Sequence, residues 1–269
     1  MQPQSIVVEQ THPPRPPADT LPTMYDLPSE NPEEPGVPDQ YHPWQAELLT
    51  QTFLPPDCPR EEMLIASDLN LYYDVHHTNY YKRPDWYVVL DVPHLYARRE
   101  PRLSYVIWQE GAAPFIVIEL LSPGTGKEDL GMTLRKSDKP PTKWEVYEQI
   151  LGIPYYVVFN RYTDELRAFE LVRRKYREVA LPENSLPIPE LKLSLKLWAG
   201  EFMGMERKWL RWYDAANKRI PTLAERVNME KIRAQQAEAK AEKLAAKLRS
   251  LGIDPETLNG VQSASEHVS

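Results

Sequence analysis

The chain has little cysteine and no long apolar run, and both absences exclude classes of protein. Cys58 is the single cysteine among 269 residues. It excludes an intramolecular disulfide framework and a zinc site built from thiolates, and it suits a reducing cytosol. No apolar stretch reaches the length of a membrane span, and the N-terminus lacks the charged start and apolar core of a secretory signal. We therefore expect a soluble, cytoplasmic protein with no membrane association.

Positive charge is also scarce. The sequence carries 32 lysines and arginines against 39 aspartates and glutamates, which gives a net charge of −7, and its pI is about 5.5. This balance argues against the broad basic surface of a protein that binds nucleic acid indiscriminately, although a local basic groove is compatible with it.

Prolines, by contrast, are abundant and unevenly placed, with 27 in the chain. Residues 1–40 contain PPRPP and PSENPEEPGVPDQ with little apolar periodicity, which predicts an extended or disordered arm. We expect a compact domain at 41–198, a helical connector at 199–221, a long helix at 222–252 and a disordered tail at 253–269.

Periodicity within the compact domain predicts its fold class. Apolar residues at helical spacing predict helices at 42–53 and 142–151, the second capped by Gly152. Runs rich in aromatic and β-branched residues predict strands at 68–75, 85–92, 105–109, 115–121, 154–160, 166–172 and 176–181. This order is typical of an α+β (α/β-like) fold in which helices flank a mixed β-sheet.

The helix predicted at 222–252 carries a heptad pattern. Two positions of each heptad form the seam. One is filled by Val227, Ala234, Ala241 and Leu248, and the other by Glu230, Ala237, Leu244 and Leu251. Three of these eight residues are alanine and one is glutamate, so pairing through the seam would be weak. Two interpretations stay open: a solvated single helix, and a short coiled coil that makes a homo-oligomer.

One carboxylate interrupts an otherwise apolar strand. In FIVIELLSPGTG (115–126), alternate residues share a face, so Phe115, Val117, Glu119 and Leu121 point one way. An ionised carboxylate is costly to bury alone, so Glu119 requires a cation, an escape to water, or a different strand position. A carboxylate at the end of a buried strand is typical of ligand and ion sites in layered α/β folds.

A second carboxylate has a similar setting. Asp85 follows Pro84 and begins the apolar strand at 85–92. If this strand neighbours the one at 115–121, Asp85 and Glu119 converge on one hard cation such as Mg²⁺ or Mn²⁺. Taken singly, either residue is better explained as structural: Asp85 as a turn residue, Glu119 as the partner of an arginine.

These residues belong to a longer pattern. It consists of Arg-Pro-Asp before a strand (83–90), FIVIELLSPGT (115–125), Asp129, Lys143 with Tyr147, and GIPYY (152–156). The pattern resembles the Uma2 family of restriction endonucleases, a family abundant in cyanobacteria, over about residues 40–195. Glu-x-x-Ser-Pro-x-Thr is its most specific part. The family is a branch of the PD-(D/E)XK nuclease superfamily, so the resemblance implies a restriction-endonuclease-like core and metal-dependent nuclease activity.

The resemblance also implies roles for individual residues. Asp85 and Glu119 match the metal-binding, catalytic acids. The superfamily's lysine usually lies two residues after the second acid, where this chain has Leu121. As in other Uma2-like sequences, a lysine on the next helix stands in its place. Lys143 matches that position, four residues before Tyr147 and therefore on the same helical face.

Weaker candidates surround this set. Lys127 is the second choice for the lysine, with a solvated loop lysine as the alternative. Asp129 either supports the metal or caps a helix, and Ser122 either contacts a phosphate or satisfies a local backbone group. Glu47, on the first helix, is either an additional acid or an exposed side chain.

Contact with DNA requires cations despite the acidic total. Arg98, Arg99 and Arg102 lie in the insertion between two predicted strands, and a predicted hairpin turn is surrounded by Arg173, Arg174, Lys175 and Arg177. All seven are candidates for phosphate contacts. A solvated turn that protects a sheet edge explains them equally well.

Two functions from different classes follow. The first is a Mg²⁺-dependent endonuclease that hydrolyses DNA phosphodiester bonds with Asp85, Glu119 and Lys143. The second is a catalytically inactive, nuclease-derived DNA-binding or oligomeric scaffold protein, which Leu121 and the acidic pI favour. A purely structural protein is a third possibility that leaves Glu119 unexplained.

Overall fold

The computed structural model describes residues 16–27, 39–121, 129–132 and 140–255. The chain forms two compact units, Met1–Ile220 and Pro221–Ser269. Within the described ranges, no helix is both long and apolar enough to cross a membrane.

The first unit contains all the strands of the described chain. In chain order its helices and strands are α1 (Pro17–Thr20), α2 (Tyr41–Thr52), β1 (Met63–Ala66), β2 (Leu71–Tyr72), β3 (Tyr81–Lys82), β4 (Trp86–Leu90), β5 (Tyr105–Val106), α3 (Ile107–Glu110), β6 (Ile116–Leu120), α4 (Lys143–Glu145, continued by the π-helical turn Val146–Leu151), β7 (Tyr155–Asn160), β8 (Glu165–Val172), β9 (Lys175–Glu178), β10 (Ser185–Ile188), β11 (Leu193–Phe202) and β12 (Met205–Asp214). Short 3₁₀ turns lie at Arg60–Glu62, Pro182–Asn184 and Pro189–Leu191.

A mixed six-stranded sheet forms the centre of this unit, in the order β1-β4-β6-β7-β8-β9. β6 and β7 are parallel, joined by the crossover that contains α4, and the other neighbours are antiparallel. β6 is central and buried along its whole length. The predicted α+β fold with a mixed sheet is confirmed.

Two apolar clusters cover the two faces of this sheet. On one face, Ile116 and Ile118 of β6 pack with α2 and with the antiparallel sheet β10-β11-β12. On the other face, Val117 packs with Tyr147 of the π-helical turn and Tyr156 of β7. A third, small sheet has the strand order β3-β2-β5.

The prediction of a helical connector at 199–221 is wrong. Most of these residues belong to β11 and β12, two ten-residue strands that form a hairpin with its turn at Met203 and Gly204. The apolar residues Trp209, Leu210 and Trp212 fit helical spacing as well as strand alternation, so the local pattern was ambiguous. Tertiary packing selects the strand conformation, because both sides of this hairpin bury aromatic residues.

The predicted strand at 105–109 is also shorter than expected. Only Tyr105–Val106 pairs, and the chain then turns into helix α3, which ends at Gly111 with a positive φ of 79°. The predicted strands at 85–92, 115–121, 154–160 and 166–172 match β4, β6, β7 and β8. β1, β3 and β10 were not predicted.

Part of the N-terminal arm predicted to be disordered is folded. Residues 16–27 lie on the small sheet, where Met24 and Leu27 pack against Trp108. The indole N–H of Trp108 donates to the carbonyl of Pro22 at 2.9 Å. Apolar residues near the end of this proline-rich stretch therefore supply enough buried surface to order it.

The second unit contains one long helix, α5 (Leu223–Ser250), without a buried residue. It begins at Thr222 with a capping box, in which Thr222 and Glu225 exchange side-chain and backbone hydrogen bonds. The helix matches the one predicted at 222–252. Only residues 253–255 of the predicted tail are described.

Candidate active site

Glu119 is completely buried at the end of the central strand β6. Val117 and Leu121 pack on its side of the sheet, whereas Ile116, Ile118 and Leu120 pack on the other side. The predicted alternation therefore holds within the strand. Phe115 is the exception, because it precedes the strand and packs with the opposite cluster.

Two side chains of the crossover helix bind the two oxygens of Glu119. The Lys143 ammonium donates to Oε2 at 3.0 Å, and the Tyr147 hydroxyl donates to Oε1 at 2.8 Å. Their four-residue spacing places both on one face of the helix, as predicted. A capping box of Thr142 and Glu145 fixes the helix start immediately beside Lys143. Of the three explanations for a buried Glu119, a neighbouring cation is the one observed, and that cation is Lys143 of the same chain.

A third carboxylate lies on the other side of Lys143. Asp129 Oδ1 is 2.9 Å from the ammonium, and Asp129 is buried. The Tyr156 hydroxyl donates to the Asp129 carbonyl at 2.8 Å. Gly131 holds this segment against the helix, since it has a φ of +68° and a Cβ there would lie 2.7 Å from Trp144.

Asp85 reaches the same end of the sheet from the neighbouring strand. β4 runs antiparallel to β6, with Trp86 opposite Ile118, so Asp85 lies beside the end of β6. Its Oδ2 accepts the Leu120 backbone N–H at 2.6 Å. β4 and β6 are therefore neighbours, as the predicted convergence of Asp85 and Glu119 requires.

His42 is a residue of this site that sequence reasoning missed. From α2, its Nε2 lies 3.1 Å from the Leu120 carbonyl oxygen, and its Nδ1 lies 3.0 Å from Asp39. Its helical spacing with the buried Gln45 and Leu49 was the signal that it faces inward.

The charges of the cluster are unbalanced. Three carboxylates surround one ammonium: Asp85, Glu119 and Asp129 around Lys143. Burial, together with Asp85 and Asp129, raises the pKa of Glu119 to about 8, although Lys143 acts in the opposite direction. Burial likewise raises the pKa of Asp85, against the effects of Lys143 and the Leu120 N–H.

The pKa of Lys143 is raised as well, which keeps its side chain charged. Burial acts to lower the pKa of Lys143, but Glu119, Asp129 and Asp85 together raise it above its ordinary value. Lys143 is therefore a fixed cation and cannot act as a base at neutral pH. Burial and the nearby Glu119 also raise the pKa of Tyr147, which stays a hydrogen-bond donor.

Glu148 directly follows Tyr147, but its side chain binds other partners and shows what a structural buried carboxylate looks like. It accepts the Tyr176 backbone N–H at 2.8 Å and the Lys175 ammonium at 2.9 Å. Burial opposes its charge, yet these hydrogen bonds lower the pKa of Glu148 below its ordinary value. At Glu148 the hydrogen bonds outweigh burial and lower the pKa, whereas at Glu119 burial, Asp85 and Asp129 outweigh Lys143 and raise the pKa.

The donor set suits a hard divalent cation. Within the described ranges, no three aspartate, glutamate, histidine or cysteine side chains form a metal-binding group by themselves. Mg²⁺ accepts fewer protein ligands, since it keeps several waters and prefers carboxylate and carbonyl oxygens. Asp85, Glu119 and the Leu120 carbonyl offer such oxygens, and three acidic side chains surround the single ammonium of Lys143.

Other predicted residues lie elsewhere. Ser122 and Lys127 fall outside the described residues. Glu47 is exposed on α2, and its carboxylate accepts a hydrogen bond from Gln51. Of its two alternatives, the exposed side chain is the one observed.

The predicted basic residues are not brought to the acidic cluster. Arg98 and Arg99 follow the end of β4 opposite Asp85, and Arg173 and Arg174 form the β8–β9 turn, at the end of the sheet opposite Glu119. Arg102 cannot contact a phosphate. Its side chain is 2 % exposed and binds the Glu110 carboxylate and two backbone carbonyls.

Comparison with known proteins places the chain in a family. No curated protein matches it. A solved structure from Anabaena variabilis, described as "a putative nuclease belonging to DUF820", is 14% identical and covers 58% of this chain and 76% of its own, with a TM-score of 0.41. The family model Uma2, described as "Putative restriction endonuclease", matches residues 16–200, more than half of the chain. The family inferred from sequence motifs is thereby confirmed, and the chain belongs to the Uma2 family.

Proposed function

We propose that this protein is a metal-dependent endonuclease that hydrolyses phosphodiester bonds of DNA. The observation that carries the proposal is Glu119, a fully buried carboxylate at the end of the central strand, coupled to Asp85 and bound to Lys143. Family membership supports the reaction class. Mg²⁺ or Mn²⁺ is the proposed cofactor.

Asp85, Glu119 and the Leu120 carbonyl would hold the ion. When bound, the ion would polarise the phosphate and lower the pKa of an attacking water. The protein's part is to fix these oxygens: Asp85 holds the Leu120 N–H and His42 contacts the Leu120 carbonyl, so the peptide groups on both sides of Leu120 are anchored. Such preorganisation avoids reorganisation during the reaction.

Lys143 supplies positive charge at a fixed point. Because its pKa is raised, it stabilises negative charge that develops on the phosphate and orients the water, but does not remove the water's proton. Asp129 and Tyr147 position it, the first through the ammonium and the second through Glu119. Lys143 would thus take the place of the superfamily's lysine, which usually lies where this chain has Leu121.

Cleavage of duplex DNA by purified variants tests this proposal. Wild type should cleave in Mg²⁺ or Mn²⁺ and lose activity with chelator. Glu119→Gln, Asp85→Asn and Lys143→Met should each lose activity by about 100-fold or more, since each removes a metal ligand or the charge stabiliser. Glu148→Gln is the matched control, a buried carboxylate outside the cluster, and should keep wild-type activity. Cleavage that survives in Glu119→Gln would refute the assignment.

The exposed helix α5 favours a second role, as an oligomeric scaffold. We propose that its heptad seam pairs two or more copies of the chain. A 28-residue helix without a buried residue gains little stability alone, and burying Val227, Leu244 and Leu248 would add to it. Light scattering of wild type and Leu244→Glu tests this: an oligomer that Leu244→Glu dissociates supports it, and a wild-type monomer at all concentrations refutes it.

A further inference from the structure

Two arginines that no sequence motif indicated lie near the end of the six-stranded sheet that carries Asp85 and Glu119. Arg161 follows β7, and Arg207 lies on β12, from which its guanidinium donates to the Arg161 carbonyl. The Tyr41 ring lies beneath both, with its centroid 5.4 Å from the guanidinium carbon of Arg161 and 4.7 Å from that of Arg207. Trp209 stacks on Tyr41 at 4.9 Å. The aromatic support and the backbone contact hold this arginine pair in place.

The positive charge of the pair is only partly compensated. Asp39 binds the Arg161 guanidinium, while nearby Asp164 is engaged by Lys208 at 3.3 Å. The Nε atoms of Arg161 and Arg207 are buried, and neither has a hydrogen-bond partner within the described parts of the chain. Arginine in such a supported geometry is suited to a phosphate, which accepts several hydrogen bonds at once.

The pair is connected to the acidic cluster. Leu120 of β6 lies opposite Phe159 of β7, so Arg161 follows the same end of the sheet that carries Glu119. Asp39, which binds Arg161, also binds His42, and His42 contacts the Leu120 carbonyl. Asp39 therefore links Arg161 to His42, the residue that contacts the carbonyl proposed as a metal ligand.

We propose that Arg161 and Arg207 bind a backbone phosphate of the DNA substrate, next to the phosphate that is cleaved. The proposal rests on the nuclease function and adds the position of the strand that the enzyme holds. Tyr162 extends the site, since it is 56% exposed and its hydroxyl accepts from Arg161 at 2.7 Å. Its ring offers a surface on which a sugar or base can stack.

Salt-dependent binding of a labelled DNA duplex tests the site. The duplex is titrated in Ca²⁺, under conditions where it is not cleaved, at a series of salt concentrations. Arg207→Gln should weaken binding and lower the slope of log affinity against log salt by about 1, because one phosphate contact is lost. Arg207→Lys should retain most of the slope. Arg98→Gln and Arg174→Gln, at the far end of the sheet, are the matched controls and should bind as wild type does.

A second variant guards against a folding defect in Arg207→Gln. Tyr162→Ala removes an exposed ring and should weaken duplex binding several-fold while leaving tryptophan fluorescence unchanged. Wild-type affinity and slope in both Arg207→Gln and Tyr162→Ala, in a protein that cleaves DNA, overturn the site and leave the nuclease function standing. A wild type that neither binds nor cleaves DNA overturns the nuclease function and this site together.

Discussion

Removing the charge of Glu119 while keeping its shape should change how the stability of the first unit depends on pH. The carboxyl is fully buried, and its pKa is raised from 4.5 to about 8. An acid whose folded pKa is raised binds more protons in the folded state, so its contribution is complete below pH 4.5 and is lost as pH rises through 8.

The size of the effect follows from the shift. Without a divalent ion, the free energy of unfolding should fall by roughly 3 kcal/mol between pH 4.5 and pH 7, because the Glu119 carboxyl ionises in the unfolded chain but keeps its proton in the folded protein. For a domain of this size, that loss lowers the midpoint of thermal unfolding by about 6 to 12 °C. Glu119→Gln carries no charge and should not show the loss.

Urea unfolding in chelator, followed by tryptophan fluorescence, measures this. The chain's 7 tryptophans all lie before residue 213, so the signal reports the first unit. The difference in unfolding free energy between Glu119→Gln and wild type should grow from pH 5 to about pH 8 and then level off. Taking this difference cancels contributions from other carboxylates. A difference that stays flat across this range would show that Glu119 is not held against its charge, and would refute the reasoning.

Three further predictions concern the parts that surround the cluster. Arg102→Ala should destabilise the first unit by about 3 to 5 kcal/mol in urea unfolding, since it leaves Glu110 buried without its partner; unchanged stability would contradict the buried pair. Gly131→Ala should weaken Mn²⁺ binding measured by calorimetry, because its Cβ would overlap Trp144 and displace the segment that carries Asp129; wild-type affinity would contradict this. Deletion of residues 221–269 should leave DNA cleavage intact and abolish any oligomer seen by light scattering, and loss of cleavage would place a catalytic requirement in α5.

The strands of the central sheet were predictable because their residues leave little choice. FIVIELL is apolar on both sides, and a segment buried on both faces belongs in the middle of a sheet. The same reasoning isolated Glu119 as an anomaly, and the motif around it indicated Lys143 and Tyr147. The local sequence was sufficient to predict a structural feature wherever that feature depends on one strand or helix alone.

Features that depend on contacts between distant elements were not predictable in this way. The hairpin β11–β12 was mistaken for helix because its aromatic residues fit both periods, and only packing against α2 distinguishes them. His42 and Arg161 occur in segments with no chemical motif, and they reach the site through tertiary contacts. Arg98 and Arg173 were selected by charge alone, and the strand register places both at the far end of the sheet.

Calorimetric titration of Mn²⁺ at pH 7 into wild type, Glu119→Gln and Glu148→Gln tests the central claim most directly. We predict that wild type and Glu148→Gln bind the ion. Their binding should release close to one proton, detected by comparing buffers of different ionisation enthalpy, because Glu119 is largely protonated before the ion arrives. Glu119→Gln should not bind. Equal binding by Glu119→Gln, or no binding by wild type with or without a DNA duplex, would contradict a metal site at Glu119.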